Sequence, residues 1–236
     1  FNKLPKKIEK NKIGNGQIHI SQNYMKNKEN IIIFGCGGHA KSVANILFET
    51  KKYKTIAFVG KDIKTKKLLG IKTLEEAKFF KKKLKYQNFV IGIGNITQRE
   101  KCYKKIKKHF PQAIFPTIIH PNTSISENVK IGIGTVIMSN VVVNISSEIG
   151  KFCILNTSST IDHDCKLEDY ASIAPNVSIA GSCTIGRRSF IGVGSSIIHN
   201  IQIGKSVVVG AGSCVIKNLL IKNTYAGSPA KKIKKN

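Results

Sequence analysis

Ile125, Ile131, Ile137, Val143, Ile149, Leu155, Ile161, Leu167, Ile173, Ile179, Ile185, Ile191, Ile197, Ile203, Val209, Val215 and Ile221 form one series: from 125 to 221 every sixth residue is Ile, Leu or Val. Random placement would give such a run on the order of once in 10⁸, and a fixed short period marks a repeat architecture. A helix stripe needs a period of 3.6, whereas six suits a short strand plus a corner, because side chains two apart on a strand share a face. The residues two before each aliphatic should therefore also point inward. From Thr123 to Ser213 they are all small or β-branched, as a narrow prism demands. The residue after the aliphatic is often Gly (Gly132, Gly150, Gly186, Gly192, Gly204, Gly210) or Asn/Asp (Asn144, Asn156, Asp162), types expected to supply the tight or left-handed backbone of a corner. Three sides of six residues make a coil of eighteen, and between five and six coils would stack at roughly 4.8 Å. The expectation is a triangular parallel β-helix over 117–221, with 222–236 leaving the period at Ile221 to close its open end.

The chain of 236 residues has room for a second domain. Residues 1–28 are polar, lysine-rich and aperiodic, and read as a disordered tail or a non-native leader. No apolar run approaches membrane-spanning length and no signal-peptide core is visible, so a cytoplasmic protein without membrane insertion is expected. None of the six cysteines stands in a CxxC or Cys/His cluster, and Cys153, Cys165 and Cys183 fall on the small inward positions. Neither a disulfide nor a metal site is expected. The net charge of +26 is mostly lysine, spread along the chain without an aromatic-studded patch. It points to anionic small molecules, such as phosphorylated cofactors and sugar nucleotides, rather than nucleic acid.

Between 29 and 116 strand and helix alternate: strand Ile31–Phe34, helix Ala40–Thr50, strand Thr55–Val59, helix from Leu74 to about Leu84, strand Phe89–Ile93, helix Thr97–His109 and strand Ala113–Phe115. Such alternation implies a small parallel sheet with helices on its faces, a Rossmann-like domain. Directly after the first strand stands Gly35-Cys36-Gly37-Gly38-His39-Ala40. Its glycines let backbone N–H groups approach an anion at the start of a helix. A full dinucleotide site is disfavoured, because the domain is short and the acid Asp62 comes late after the second strand. The phosphates of a sugar nucleotide fit better, and a tight turn without ligand is the bland alternative.

His163 lies two residues past Ile161, within Asp162-His163-Asp164 at a prism corner. A histidine beside a carboxylate can be held in one tautomer with a pKa near working pH, as a general base requires. Eighteen residues on, one coil lower, comes Gly181, and His199 follows eighteen further. A glycine beneath the histidine leaves its backbone N–H free to meet an oxyanion. An exposed polar corner residue with no chemistry is the alternative reading.

The hexapeptide run, the opening Ile32-Ile33-Phe34-Gly35-Cys36-Gly37-Gly38-His39-Ala40, the segment Asn156 to Asp164 and the ending Tyr225-Ala226-Gly227-Ser228-Pro229-Ala230-Lys231 together resemble the left-handed β-helix sugar acyltransferases. That family includes sialic acid O-acetyltransferases and N-acetyltransferases of UDP-4-amino sugars in bacillosamine synthesis, and the likeness covers about 29–233. The resemblance implies His163 as general base, Asp164 as the acid that orients it, and Asn156 in the acceptor pocket. It implies Gly181 as the backbone N–H that meets the thioester carbonyl, with Ala180 beside it on the pantetheine groove and His199 flanking the cofactor. It assigns Gly35, Gly37, Gly38 and His39 to the nucleotide sugar, with Asp62 a weaker match to a base-contacting acid. Where some relatives carry a second histidine this chain has Ala171. Acetyl-CoA as co-substrate, a homotrimer and direct transfer without metal are implied as well. The expected activity is acetylation of the amino group of a nucleotide-linked sugar. O-acetylation of sialic acid and a non-catalytic β-helix binding protein are the alternatives.

Overall fold

The computed structural model describes residues 28–61, 63–82 and 87–233; the expected tail up to residue 27, Asp62 and Leu84 lie outside them. Strand β1 (Glu29–Phe34), helix α1 (Gly38–Thr50), strands β2 (Tyr53–Gly60), β3 (Lys67–Leu68) and β4 (Ile71–Glu75), helix α2 (Glu76–Phe79), strand β5 (Asn88–Ile91) and helix α3 (Ile96–His109) come first. The strands form one sheet in the order β3-β4-β2-β1-β5, antiparallel only between β3 and β4. The unbroken apolar run of β1 follows from burial on both faces. Ile31 and Ile33 pack with Val43, Ala44 and Leu47 of α1, whereas Ile32 and Phe34 pack with Phe79, Phe89 and Ile106.

Two sequence expectations fail here. Leu74 opens no helix: it pairs with Val59 as part of β4, and α2 is a single turn among the described residues. The cause is a hairpin turn at Leu69-Gly70, both at positive φ (50° and 74°), which folds Ile71 back against Leu68 and delivers β4 to the sheet. The strand expected at Ala113–Phe115 reduces to one parallel bridge between Asn88 and Ile114.

From Ile118 onward the chain winds into a left-handed β-helix with three parallel sheets. Six strands from Ser124–Ile125 to Cys214–Val215 form the first and five from Lys130–Ile131 to Gln202–Ile203 the second. The third, beginning at Ile118–Ile119, runs in parallel to Thr224–Ala226. Strands eighteen residues apart pair in register, as Ile161 does with Val143 above and Ile179 below. Both columns named from the sequence point inward: Ile137, Leu155, Ile173, Ile191 and Val209 share one core with Val141, Cys153, Ala171, Val177 and Cys183. Inward hydroxyls reach across the corner, Ser147 Oγ donating to the Asp162 carbonyl at 2.7 Å and Ser195 Oγ to Gly210 at 2.9 Å, whereas Ser159 Oγ is buried without a partner.

The inward series ends one member early, at Val215. Ile221 is 72% exposed, and Leu219 closes the core instead, bridging Ile203. Lys231–Lys232 then pairs antiparallel with Thr224–Ala226 at the bottom of the third sheet. The corner glycines also have a different cause from the one expected. The left-handed residue of each corner stands three after the aliphatic (Asn140, Ser146, Asp164, Ser182) rather than one after it. The glycines directly after the aliphatics are sites of close approach: a Cβ on Gly132 would lie 2.6 Å from the Gly150 carbonyl carbon, and one on Gly186 the same distance from that of Gly204.

Candidate active site

The prism has three corners with different occupants. Between the first and second sheets stand His163, Gly181 and His199, between the second and third Phe152, Tyr170 and Arg188, and between the third and first Asn156, Ala174 and Gly192.

At the first corner, His163 Nδ1 lies 2.8 Å from Asp164 Oδ2. A carboxylate accepts only, so Nδ1 carries the proton and Nε2 is left as the acceptor. The hydrogen bond to Asp164 and the nearby Asp162 charge raise the imidazole pKa above its ordinary value. Gly181 sits directly under the ring. A Cβ there would lie 2.5 Å from His163 Cε1 and 2.6 Å from Nε2. The coils are locked around it, the Ser182 N–H donating to the His163 carbonyl at 2.9 Å and the Asn200 N–H to that of Gly181 at 3.0 Å. Among the described residues the Gly181 N–H donates to no protein group, whereas the Ala180 N–H donates to the Ile197 carbonyl. A free donor therefore sits one coil below a histidine with a free acceptor nitrogen. His199 follows on the next coil, exposed. Gly181→Val should push the imidazole off Asp164 and lower kcat roughly 10²-fold, the usual scale for misplacing a reacting group by about 1 Å. A variant with wild-type kcat would show that the ring position does not matter.

The glycine loop builds a second cleft, of about 970 Å³, at the C-terminal ends of β1, β2 and β5. Its lining includes Gly35, Gly37, Gly38, His39, Gly92, Gly94, Asn95 and Gln98, with Lys41, Lys61, Lys64, Lys101 and Lys105 around them. Gly35 is needed for the backbone, with φ +121° and the Gly92 carbonyl oxygen 2.5 Å from where a Cβ would stand. Gly37 and Gly38 have no neighbour within 4 Å on that side, so the first turn of α1 faces open space with its amides unobstructed. Burial and then the charge of Arg99 push the His39 pKa down to about 4. His39 is thus neutral at working pH, and its Nε2 is buried without a hydrogen-bond partner.

The two sites are not brought together in one chain. His163 does not line the cleft. The elements behind the cleft dock on the second corner through Arg99 and Glu100, while α1 packs on Ile118, Val136 and Met138 at the third sheet, Met138 one coil above Asn156. The docking rests on a residue that sequence reasoning missed. Arg99 of α3 is 1% exposed. Its Nε donates to the Phe152 carbonyl at 3.0 Å, Nη1 to the Gly94 carbonyl at 2.7 Å and Nη2 to Ser172 Oγ at 2.7 Å. Next to it Glu100 pairs with Arg187 at 3.1 Å and with Arg188. The sequence did carry a signal: large residues, Phe152, Tyr170 and Arg188, hold the left-handed corner position (φ 55°, 63° and 63°) where other corners place Ser, Asn, Asp or Gly.

Residues 30–106 match the family described as PglD N-terminal domain. PerB from Caulobacter crescentus, solved in complex with CoA and GDP-perosamine, is 31% identical with a TM-score of 0.80, over 87% of this chain and 97% of that one. The chain belongs to the PglD-like hexapeptide sugar acyltransferase family. Other relatives agree. The acetyltransferase domain of PglB from Neisseria gonorrhoeae, solved with acetyl coenzyme A, is 27% identical over 88% of this chain and 100% of that one, at TM-score 0.80. The GDP-perosamine N-acetyltransferase of Escherichia coli O157:H7 is 28% identical over 70% of this chain and 76% of its own length. Among the described residues no group of His, Cys, Asp and Glu could hold a metal ion, and no helix is long and apolar enough to cross a membrane.

Proposed function

We propose that this acyltransferase moves the acetyl group of acetyl-CoA to the amino group of a nucleotide-linked amino sugar, with His163 as general base. The observation that carries this reading is the stacked arrangement of a tautomer-fixed imidazole over a glycine with a free N–H. The acceptor amine attacks the thioester carbonyl carbon, His163 Nε2 takes the amine proton, and the Gly181 N–H holds the oxyanion until the CoA thiolate leaves. Asp164 keeps the imidazole in the required tautomer and balances the imidazolium as it forms. We place the pantetheine arm along Ala180 beside Gly181, with His199 flanking it one coil lower.

We place the nucleotide sugar in the glycine-loop cleft, its phosphates at the Gly37-Gly38 start of α1 among the lysines, with neutral His39 offering Nε2 to a sugar or phosphate group. Residues 29–116 then act as the nucleotide-sugar unit and 117–221 as the acyl-transfer unit, capped by 222–236. Because His163 does not line this cleft, a trimer in which a neighbour's His163 corner meets it completes the site. Exposed apolar side chains on the lower coils, Phe190, Ile198, Val208 and Ile216, support such an assembly.

A thiol-release assay tests the reaction. Acetyl-CoA is offered with GDP- and UDP-linked 4-amino sugars, and with sialic acid and its CMP conjugate. Release is expected with a nucleotide-linked amino sugar, and release with sialic acid alone would replace this reading with O-acetylation. Only neutral His163 can accept a proton, and its pKa is raised, so activity should fall as pH drops through a midpoint above the ordinary histidine value. A pH profile of kcat/KM flat across that range would contradict the role.

A further inference from the structure

Asp164 explains the tautomer of His163 but not what holds the peptide that carries it. Asn144 stands one coil above Asp162, since Val143 pairs with Ile161. Asn144 Nδ2 donates to Asp162 Oδ1 at 2.8 Å, and the same oxygen accepts the backbone N–H of His163 at 2.9 Å. One carboxylate oxygen thus ties the coil above to the peptide bearing the imidazole.

The charge on that carboxylate is surplus to the fold. The same local turn is made elsewhere by an amide, the Thr157 N–H donating to Asn156 Oδ1 at 3.0 Å and the Thr224 N–H to Asn223 Oδ1 at 2.9 Å. A carboxylate at 162 instead places a second negative charge beside the imidazole, where neighbouring coils contribute none. The coil above offers Asn144 and Ile145, the coil below Ala180, Gly181 and Ser182. The thiols of Cys165 and Cys183 turn inward to the Ala180 and Ile198 carbonyls. Asp164 and Asp162 are the two charged groups acting on His163, and both favour its protonated form.

We propose that Asn144 and Asp162 are positioning residues for His163, the shared carboxylate oxygen fixing the peptide that carries the imidazole and setting a second negative charge beside the ring. The proposal rests on His163 being the general base. Asp162→Asn keeps the acceptor oxygen and removes the charge, whereas Asp162→Ala removes both. The test reads histidine ring NMR across pH, with the His163 signal assigned by its loss in His163→Gln, alongside kcat for the same variants. In Asp162→Asn the His163 midpoint should fall by ~0.3 pH unit or more, and the acid limb of kcat/KM should move down with it. In Asp162→Ala and Asn144→Ala kcat should also fall, by about threefold or more at every pH, because the peptide is released. An unchanged His163 midpoint in Asp162→Asn, or wild-type kcat in Asp162→Ala, would overturn the proposal. Should the wild-type protein turn over no acceptor while the midpoint still shifts, the acetyl-transfer reading fails and the charge coupling stands.

Discussion

His163→Ala is expected to lower kcat by roughly 10²-fold or more, the usual scale for losing a general base, while leaving acetyl-CoA affinity and the fold close to wild type. The fold should survive because the side chain is exposed and contributes to the prism only through its backbone, whose carbonyl holds the Ser182 N–H. Asp164→Asn should be milder, since the ring stays in place over Gly181 with a less favourable tautomer. His199→Ala should change acetyl-CoA affinity at most, because it lies two coils below, nearly 10 Å by strand spacing. Circular dichroism and calorimetry with CoA check the intact fold and site. Full turnover in a folded His163→Ala protein would sink the mechanism.

Arg99→Met should give the largest loss of stability, about 3 kcal/mol or more. The guanidinium is charged even though burial pulls its pKa down to about 10, and it reaches the carbonyls of Ile93, Gly94, Phe152 and Tyr170 and the hydroxyl of Ser172. A methionine of similar length leaves those enclosed acceptors without their donor. Arg99→Lys cannot rescue it fully, because one ammonium cannot span acceptors from both the cleft loop and two coils. A second effect separates Arg99 from ordinary core residues. Ile93 and Gly94 line the cleft, so under stabilising conditions the variant should show a raised KM for the nucleotide sugar with little change for acetyl-CoA. Urea unfolding and the two KM values are the measurements, and a loss below ~0.5 kcal/mol would contradict the account.

The prism was legible because its regularity is one-dimensional. A strand of two residues plus a corner leaves each inward position at a fixed count from the last, so the sequence alone places Ile161, Cys165 and Gly181. Corner conformation was not legible in the same way. Gly132 and Gly186 look alike whether they serve a left-handed backbone or a close approach, and only the neighbouring coil distinguishes the two. Leu74 shows the limit for short elements: its acidic, helix-favouring neighbours Glu75 and Glu76 lost to parallel pairing with Val59, a partner fifteen residues away. Arg99 shows the limit for docking. In Ile96-Thr97-Gln98-Arg99-Glu100 it reads as a solvated helix charge, and nothing in local spacing says that this helix face lies on coil carbonyls.

The most direct test of acetyl transfer uses acetyl-CoA labelled with ¹³C in the acetyl group, incubated with the protein and a nucleotide-linked 4-amino sugar, and follows the label by NMR. The label should appear as an amide on the sugar, stable to hydroxylamine, and only with His163 intact. Label recovered as a hydroxylamine-labile ester, or remaining in acetyl-CoA with every nucleotide-linked amino sugar offered, would contradict transfer to the amine.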